Sequence, residues 1–120
     1  MSQRTFCINL NAHYNDKFEQ RRTDDYGSKA LLLRLAVEAN LIRMTPIGLA
    51  LATSTIQGPY PYKHSFVIPT RERERKWFDV FNGKAKSLGV SVSHLGRVCL
   101  CLFLDELEAV EEEREHERTG

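Results

Sequence analysis

The stretch GVSVSHLGRVCLCLF, residues 89 to 103, decides how this chain is read. Gly89 precedes two serines, Ser91 and Ser93, and from Val98 to Leu104 the only heteroatoms in the side chains are the thiols of Cys99 and Cys101. A glycine here is suited to end one helix, and Ser91 to cap the next by accepting a bond from an otherwise unpaired amide. A helix at a surface needs one apolar stripe, whereas one that is apolar nearly all round needs packing partners on more than one side. The stretch therefore predicts a central helix, running from Ser91 to about Val110.

Working outward, residues 71 to 88 place Trp77, Phe78, Phe81, Ala85 and Leu88 near one helical face. Before them, Ser65 to Ile68 reads as a short strand that Pro69 limits or puts at an edge. The first half of the chain has the same order. Phe6, Ile8 and Leu10 alternate with polar or small residues between Arg4 and Asn11, as a half-buried strand requires. A helix-compatible stretch follows from Asn15 to Thr23, and Gly27-Ser28 introduces the apolar segment KALLLRLAVEANLI with Ser28 as N-cap. Setting Ser28 against Ser91 aligns Leu32 with Leu95, Arg34 with Arg97 and Ala36 with Cys99, an offset of 63. Setting Phe6 against Phe66 aligns Ile8 with Ile68 at an offset of 60. Each half thus reads as strand, helix, helix. Unit one spans residues 4–42, a crossover 43–62 and unit two 63–110, forming one compact domain over 1–110. In the crossover, Thr45-Pro46 is expected to cap and start a short helix through Ala52, followed by the turn-rich QGPYPYK. Residues 111–120 are expected to form an acidic tail, a fraying helix passing into disorder.

The net charge of +1 hides an asymmetry. Residues 1–104 hold fifteen Lys/Arg against eight Asp/Glu, while the remainder holds two against eight. The body is thus +7 and the tail −6, and a basic body suits a polyanion such as nucleic acid. Three cysteines, two of them inside an apolar run, read as small buried hydrophobes in a reducing compartment rather than as disulfides. No apolar run is long enough to span a membrane and no apolar signal region opens the chain, so a cytoplasmic protein without a membrane partner is expected.

Strand, helix, glycine, then a helix opening Ser-x-Ser-x-Leu-x-Arg resembles the pattern of ribbon-helix-helix proteins. Here it stands as Gly89, Ser91, Ser93, Leu95 and Arg97. The first copy keeps Ser28, Leu32, Arg34 and Ala36 but has Ala30 at the second serine and Tyr26 at the first glycine position. Two copies in one chain are similar to the single-chain accessory proteins of conjugal and T-DNA transfer. The resemblance implies a mainly α fold with a short two-stranded antiparallel ribbon, two ribbon-helix-helix units in one chain forming a monomeric pseudo-dimer. It implies double-stranded DNA as the partner, the ribbon entering the major groove, with service to a relaxase or other transfer protein. A ribbon-helix-helix transcriptional repressor is the near alternative, and a protein-binding adaptor the alternative from another class.

On this reading Thr5, Cys7 and Asn9 of the first strand point outward. Asn9 is placed to pair with adenine and Thr5 to touch a thymine methyl. Lys63, Ser65 and Val67 form the outward face of the second strand, where the poor hydrogen-bonding capacity of Val67 departs from symmetrical base reading. Ser28, Ser91 and Ser93 at helix starts, with Arg4, Lys29, Lys63 and Arg71, and Arg73 beside it, are the candidate phosphate contacts. No catalytic residue, metal or cofactor is expected. His13, His64, His94 and His116 lie far apart without a metal-ligand rhythm, and Cys99 and Cys101 fall on different sides of a helix. Ser91, Ser93 and His94 at one helix start read as caps rather than as nucleophile and base.

Overall fold

The computed structural model describes residues 4–22 and 28–119. In the first strand, β1 (Thr5–Leu10), the alternation is obeyed: Phe6, Ile8 and Leu10 are buried, Thr5 is exposed, and Cys7 and Asn9 are half-buried. Its partner is β2 (Tyr62–Val67), antiparallel and in the same chain, with Thr5 opposite Val67, Cys7 opposite Ser65 and Asn9 opposite Lys63. The chain is mainly helical around this one two-stranded ribbon, with α1 (Ala12–Arg21), α2 (Lys29–Asn40), α3 (Pro46–Thr55), α4 (Glu72–Leu88) and α5 (Val92–Thr119) among the described residues.

β2 begins at Tyr62 rather than Ser65 and ends at Val67 rather than Ile68, although the Ile68 amide still bonds the Arg4 carbonyl at 2.9 Å. The early start was hidden because the inward position opposite Ile8 is occupied by His64 instead of an apolar residue. His64 stacks on Phe18 at 4.7 Å, and its Nε2 lies 2.6 Å from Asn15 Oδ1. Burial holds its pKa below the usual imidazole range, with Lys29 and Arg22 adding to the effect and Glu19 opposing it.

The caps explain where the helices begin. α1 starts at Ala12 rather than Asn15 because the Asn11 side chain accepts from the Tyr14 amide at 2.9 Å. Its expected end at Thr23 lies outside the described residues, as do Tyr26 and Gly27. Ser28 caps α2 through the Leu31 amide at 3.2 Å, and Thr45 caps α3 through Gly48 at 3.0 Å, with Pro46 at the first helical position. α3 continues past Ala52 to Thr55, its Thr53, Ser54 and Thr55 hydroxyls donating to carbonyls of the same helix. Gly89 ends α4 in the left-handed region, at φ +73°, and the Val90 amide closes the turn on the Ala85 carbonyl at 3.0 Å.

α5 has the several-sided packing that its sequence demands: Leu95, Val98, Cys99, Leu100, Cys101 and Leu104 are buried. It packs most extensively on α2 and β1, and also touches α3, α1 and α4. α2 and α5 meet around Ala36 and Cys99, where the buried Asn40 amide donates to both of those carbonyls, at 2.9 and 3.4 Å. A Cβ added at Gly96 would lie 2.6 Å from Ile8 Cδ1, so a larger residue there would force the Ile8 side chain to shift. Burial pushes the Cys99 and Cys101 thiols up to about 12, which leaves them as packing groups. Phe81 is buried as expected, but Trp77 stacks on it from a half-buried position, and Leu102 is also only half-buried. The apolar run thus overstated the core by Leu102 and Phe103, because α5 turns that side toward the surface.

The acidic end is helical as far as Thr119. Its first carboxylates are held by α1. Tyr14 donates to Asp105 at 2.8 Å, Lys17 pairs with Asp105 and Glu108, and Arg21 pairs with Glu111 at 2.7 Å. The rest is rich in Glu and Arg, which are good helix formers, and His116 and Arg118 complement the helix dipole in the last turn. Among the described residues no single helix is long and apolar enough to cross a membrane.

These positions make a graded stability test. Leu100→Ala is expected to cost about 2–5 kcal/mol as a buried leucine, and Gly96→Ala about 1–3 kcal/mol through overpacking against Ile8. Leu102→Ala should cost less than Leu100→Ala in urea unfolding. An equal loss would contradict the placement of the core.

Candidate nucleic-acid interface

The ribbon register composes one outer face from three cross-strand pairs: Thr5 with Val67, Cys7 with Ser65, and Asn9 with Lys63. Lys63, Ser65 and Val67 are exposed along β2, while on β1 only Thr5 is fully so. Each end of this face adjoins the first two turns of a helix. At the Asn9 end, Arg97 in the second turn of α5 donates from Nε to the Asn9 carbonyl at 2.7 Å. Its guanidinium lies 4.0 Å from the Tyr60 ring centroid, and Tyr60 is itself held by its hydroxyl on the Ile56 carbonyl. At the Val67 end, Ala30, Leu31 and Arg34 of α2 line a shallow cleft with Val67, Pro69 and Trp77.

Both helix starts are capped in the same way. Ser28 Oγ accepts from Leu31 N, and Ser91 Oγ accepts from His94 N at 3.1 Å. In each case the hydroxyl hydrogen is left to donate outward, and both serines are exposed. Ser93 is half-buried and caps nothing. Lys29 is drawn back, its Nζ 5.4 Å from the Phe66 ring centroid, so it reaches outward less than expected. His94 rests its ring on Thr53 Oγ1 at 3.0 Å, which ties α3 to the start of α5. Burial, with help from Arg97, keeps its pKa below the usual imidazole range.

Asn9 lies on the outer face as expected, but its acceptor does not. The side chain is half-buried and its Oδ1 is fully covered, without a hydrogen-bond partner among the described residues. With the acceptor turned in, Asn9 presents only its amide donor, and the two-way pairing with adenine expected for it is not available in this pose.

Of the cations, Lys17, Arg21, Arg22, Arg34, Arg43 and Arg75 sit in ion pairs, Arg34 with Glu38, Arg43 with Glu106 and Arg75 with Asp79. Arg4, Lys63, Arg71 and Arg73 are exposed, and among the described residues none of them forms an ion pair. Arg4 and Arg71 flank the Thr5–Val67 end, Arg4 through the Ile68 bond to its carbonyl and Arg71 at the start of α4. The matched positions Arg34 and Arg97 therefore differ: one pairs along its own helix and the other pins the ribbon. The helical repeat marked Arg97 as equivalent to Arg34 but carried no signal for its bond to a strand carbonyl. Among the described residues no three His, Cys, Asp or Glu side chains gather as metal ligands.

No family model, curated protein or solved structure matches the chain.

The cap assignments are directly testable. Ser28→Ala and Ser91→Ala are each expected to cost about 1 kcal/mol of folding stability. Ser93→Ala should stay within about 0.5 kcal/mol, the usual range for a surface substitution without a specific role. Thermal unfolding of the three variants measures this, and a loss at Ser93 equal to that at Ser91 would overturn the assignment.

Proposed function

We propose that this chain is a double-stranded DNA-binding protein, a single-chain pair of ribbon-helix-helix units that lays β1 and β2 in the major groove. The observation that carries this reading is the outer face of the ribbon, bounded at each end by the first two turns of a serine-capped helix. A two-stranded ribbon fits the major groove, roughly 12 Å wide. A helix start joins unpaired amides, the positive end of the helix dipole and a free hydroxyl hydrogen, which together suit a phosphate on each side of the groove. Arg4 and Arg71 supply unpaired charge beside that face. The matched caps, the pairing of β1 with β2 of the same chain and the meeting of α2 with α5 at Ala36 and Cys99 support the duplicated design.

On the resemblance, the biological setting is accessory service to a relaxase in conjugal or T-DNA transfer within the cytoplasm, and the protein performs no catalytic step. A repressor would use the same face. One observation favours an additional protein partner, as an adaptor would have. Ile47 and Leu51 on α3, 74% and 64% exposed, and Ile42 before it, 92% exposed, leave apolar side chains in solvent.

Fluorescence anisotropy with a random 20-base-pair duplex at several salt concentrations tests the reading. Contacts to about four to six phosphates would give a log–log slope of about −4 to −5, at roughly 0.9 per phosphate. Arg71→Ala should flatten that slope by about one. Removing residues 112–120 spares the Arg21–Glu111 pair while deleting four of the tail's eight carboxylates, so affinity for random duplex should rise or stay level. A salt-independent or undetectable interaction at low salt would refute DNA binding.

A further inference from the structure

The two ends of the ribbon face are chemically unlike. In a ribbon made from two identical chains, symmetry makes the ends equal. Here Asn9 and Lys63 form one end and Thr5 and Val67 the other. We propose that the ribbon recognises a non-palindromic duplex in one orientation, with its Asn9–Lys63 end on guanine and its Thr5–Val67 end on a thymine methyl. This rests on the DNA-binding reading above and adds polarity and base identity to it.

Hydrogen-bond capacity decides the guanine end. Lys63 is exposed and offers donors only. Asn9 has its Oδ1 buried and its backbone carbonyl taken by Arg97, so it too offers only a donor. Among the four bases, guanine alone shows two acceptors, N7 and O6, and no donor at its major-groove edge. Adenine and cytosine each present an amino hydrogen, which this end has no acceptor to receive.

The opposite end has the reverse character. Val67 is 51% exposed and can make no hydrogen bond through its side chain, and Thr5 adds a methyl group and one hydroxyl. An apolar contact of this kind suits the C5 methyl of thymine, with the Thr5 hydroxyl able to donate to its O4. Between them, Ser65 donates or accepts and carries no strong preference. The end pairs lie four residues apart on each strand, about 13 Å at roughly 3.3 Å per residue. With base pairs spaced by about 3.4 Å, the guanine and the thymine should stand about four base pairs apart.

Polarity continues beyond the ribbon. The Asn9 end is tied to the start of α5 by Arg97, and the Val67 end adjoins the start of α2. A protein bound in one orientation would present α3 and the far end of α5 to defined sides of the site.

The test uses the full chain and a duplex enriched from a random 20-base-pair pool. Methylating guanine N7 blocks its acceptor, and replacing thymine by uracil removes the methyl, so each end can be probed alone. The enriched sequence should be non-palindromic. Methylation at a single guanine should weaken binding about tenfold, within the usual range for one base contact. Uracil about four base pairs away should weaken it by a smaller factor. Lys63→Ala should abolish the first sensitivity alone and Val67→Ser the second alone. Unchanged thermal unfolding of both surface variants keeps the comparison clean. A palindromic site, equal sensitivity to the same modification at both ends, or no base preference overturns the proposed polarity while leaving DNA binding in place. Failure to bind any duplex removes both.

Discussion

The contact between Ile8 and Gly96 is the constraint from which the rest of the structure follows. Ile8 is fully buried and stands in the middle of β1, and the absent side chain at Gly96 lets it lie directly on α5. Once Ile8 is seated, alternation leaves Phe6 and Leu10 no choice but to face the core, and Thr5, Cys7 and Asn9 no choice but to face away. Antiparallel pairing then dictates which residues of β2 share that outer face. The surface proposed to meet DNA is thus set from beneath, by an apolar contact in which none of its own side chains takes part.

The same helix carries two different duties along its length. From Leu95 to Leu104 it is buried by neighbours on several sides, and the thiols there serve as small apolar groups. From Asp105 onward it becomes a row of carboxylates, the first of which bind Tyr14, Lys17 and Arg21 on α1. Exposed ion pairs contribute little individually, but here several converge on one short helix and fix its position. Their further effect is electrostatic. They engage Lys17 and Arg21 of α1, whereas Arg4, Lys63, Arg71 and Arg73 form no ion pair among the described residues, with Lys63 on the outer face of the ribbon and Arg4 at one end of it.

Patterns of short range were legible in the sequence. The alternation of Phe6, Ile8 and Leu10, the serines at 28 and 91, Thr45-Pro46 and Gly89 each specify local geometry through one steric or hydrogen-bonding rule, and each appears where that rule places it. The outward positions of Lys63, Ser65 and Val67 followed from the same alternation. What escaped depended on partners remote in the chain. His64 holds an inward strand position because Phe18 and Asn15 receive it, and nothing in its own neighbourhood announces that. The acid-rich end is ordered near Glu111 by α1, some 90 residues earlier. The inward turn of Asn9 Oδ1 and the bond from Arg97 to the Asn9 carbonyl are likewise tertiary facts. They altered the chemistry expected at the site without altering its location.

The central proposal, that the outer face of the ribbon is where DNA binds, is tested most directly by backbone amide NMR during titration with a short duplex. The largest shifts are expected at Thr5, Cys7, Asn9, Lys63, Ser65 and Val67 and at the starts of α2 and α5, with α3 and the far half of α5 little changed. Shifts confined to the α3 surface around Ile47 and Leu51, with the ribbon silent, would contradict it.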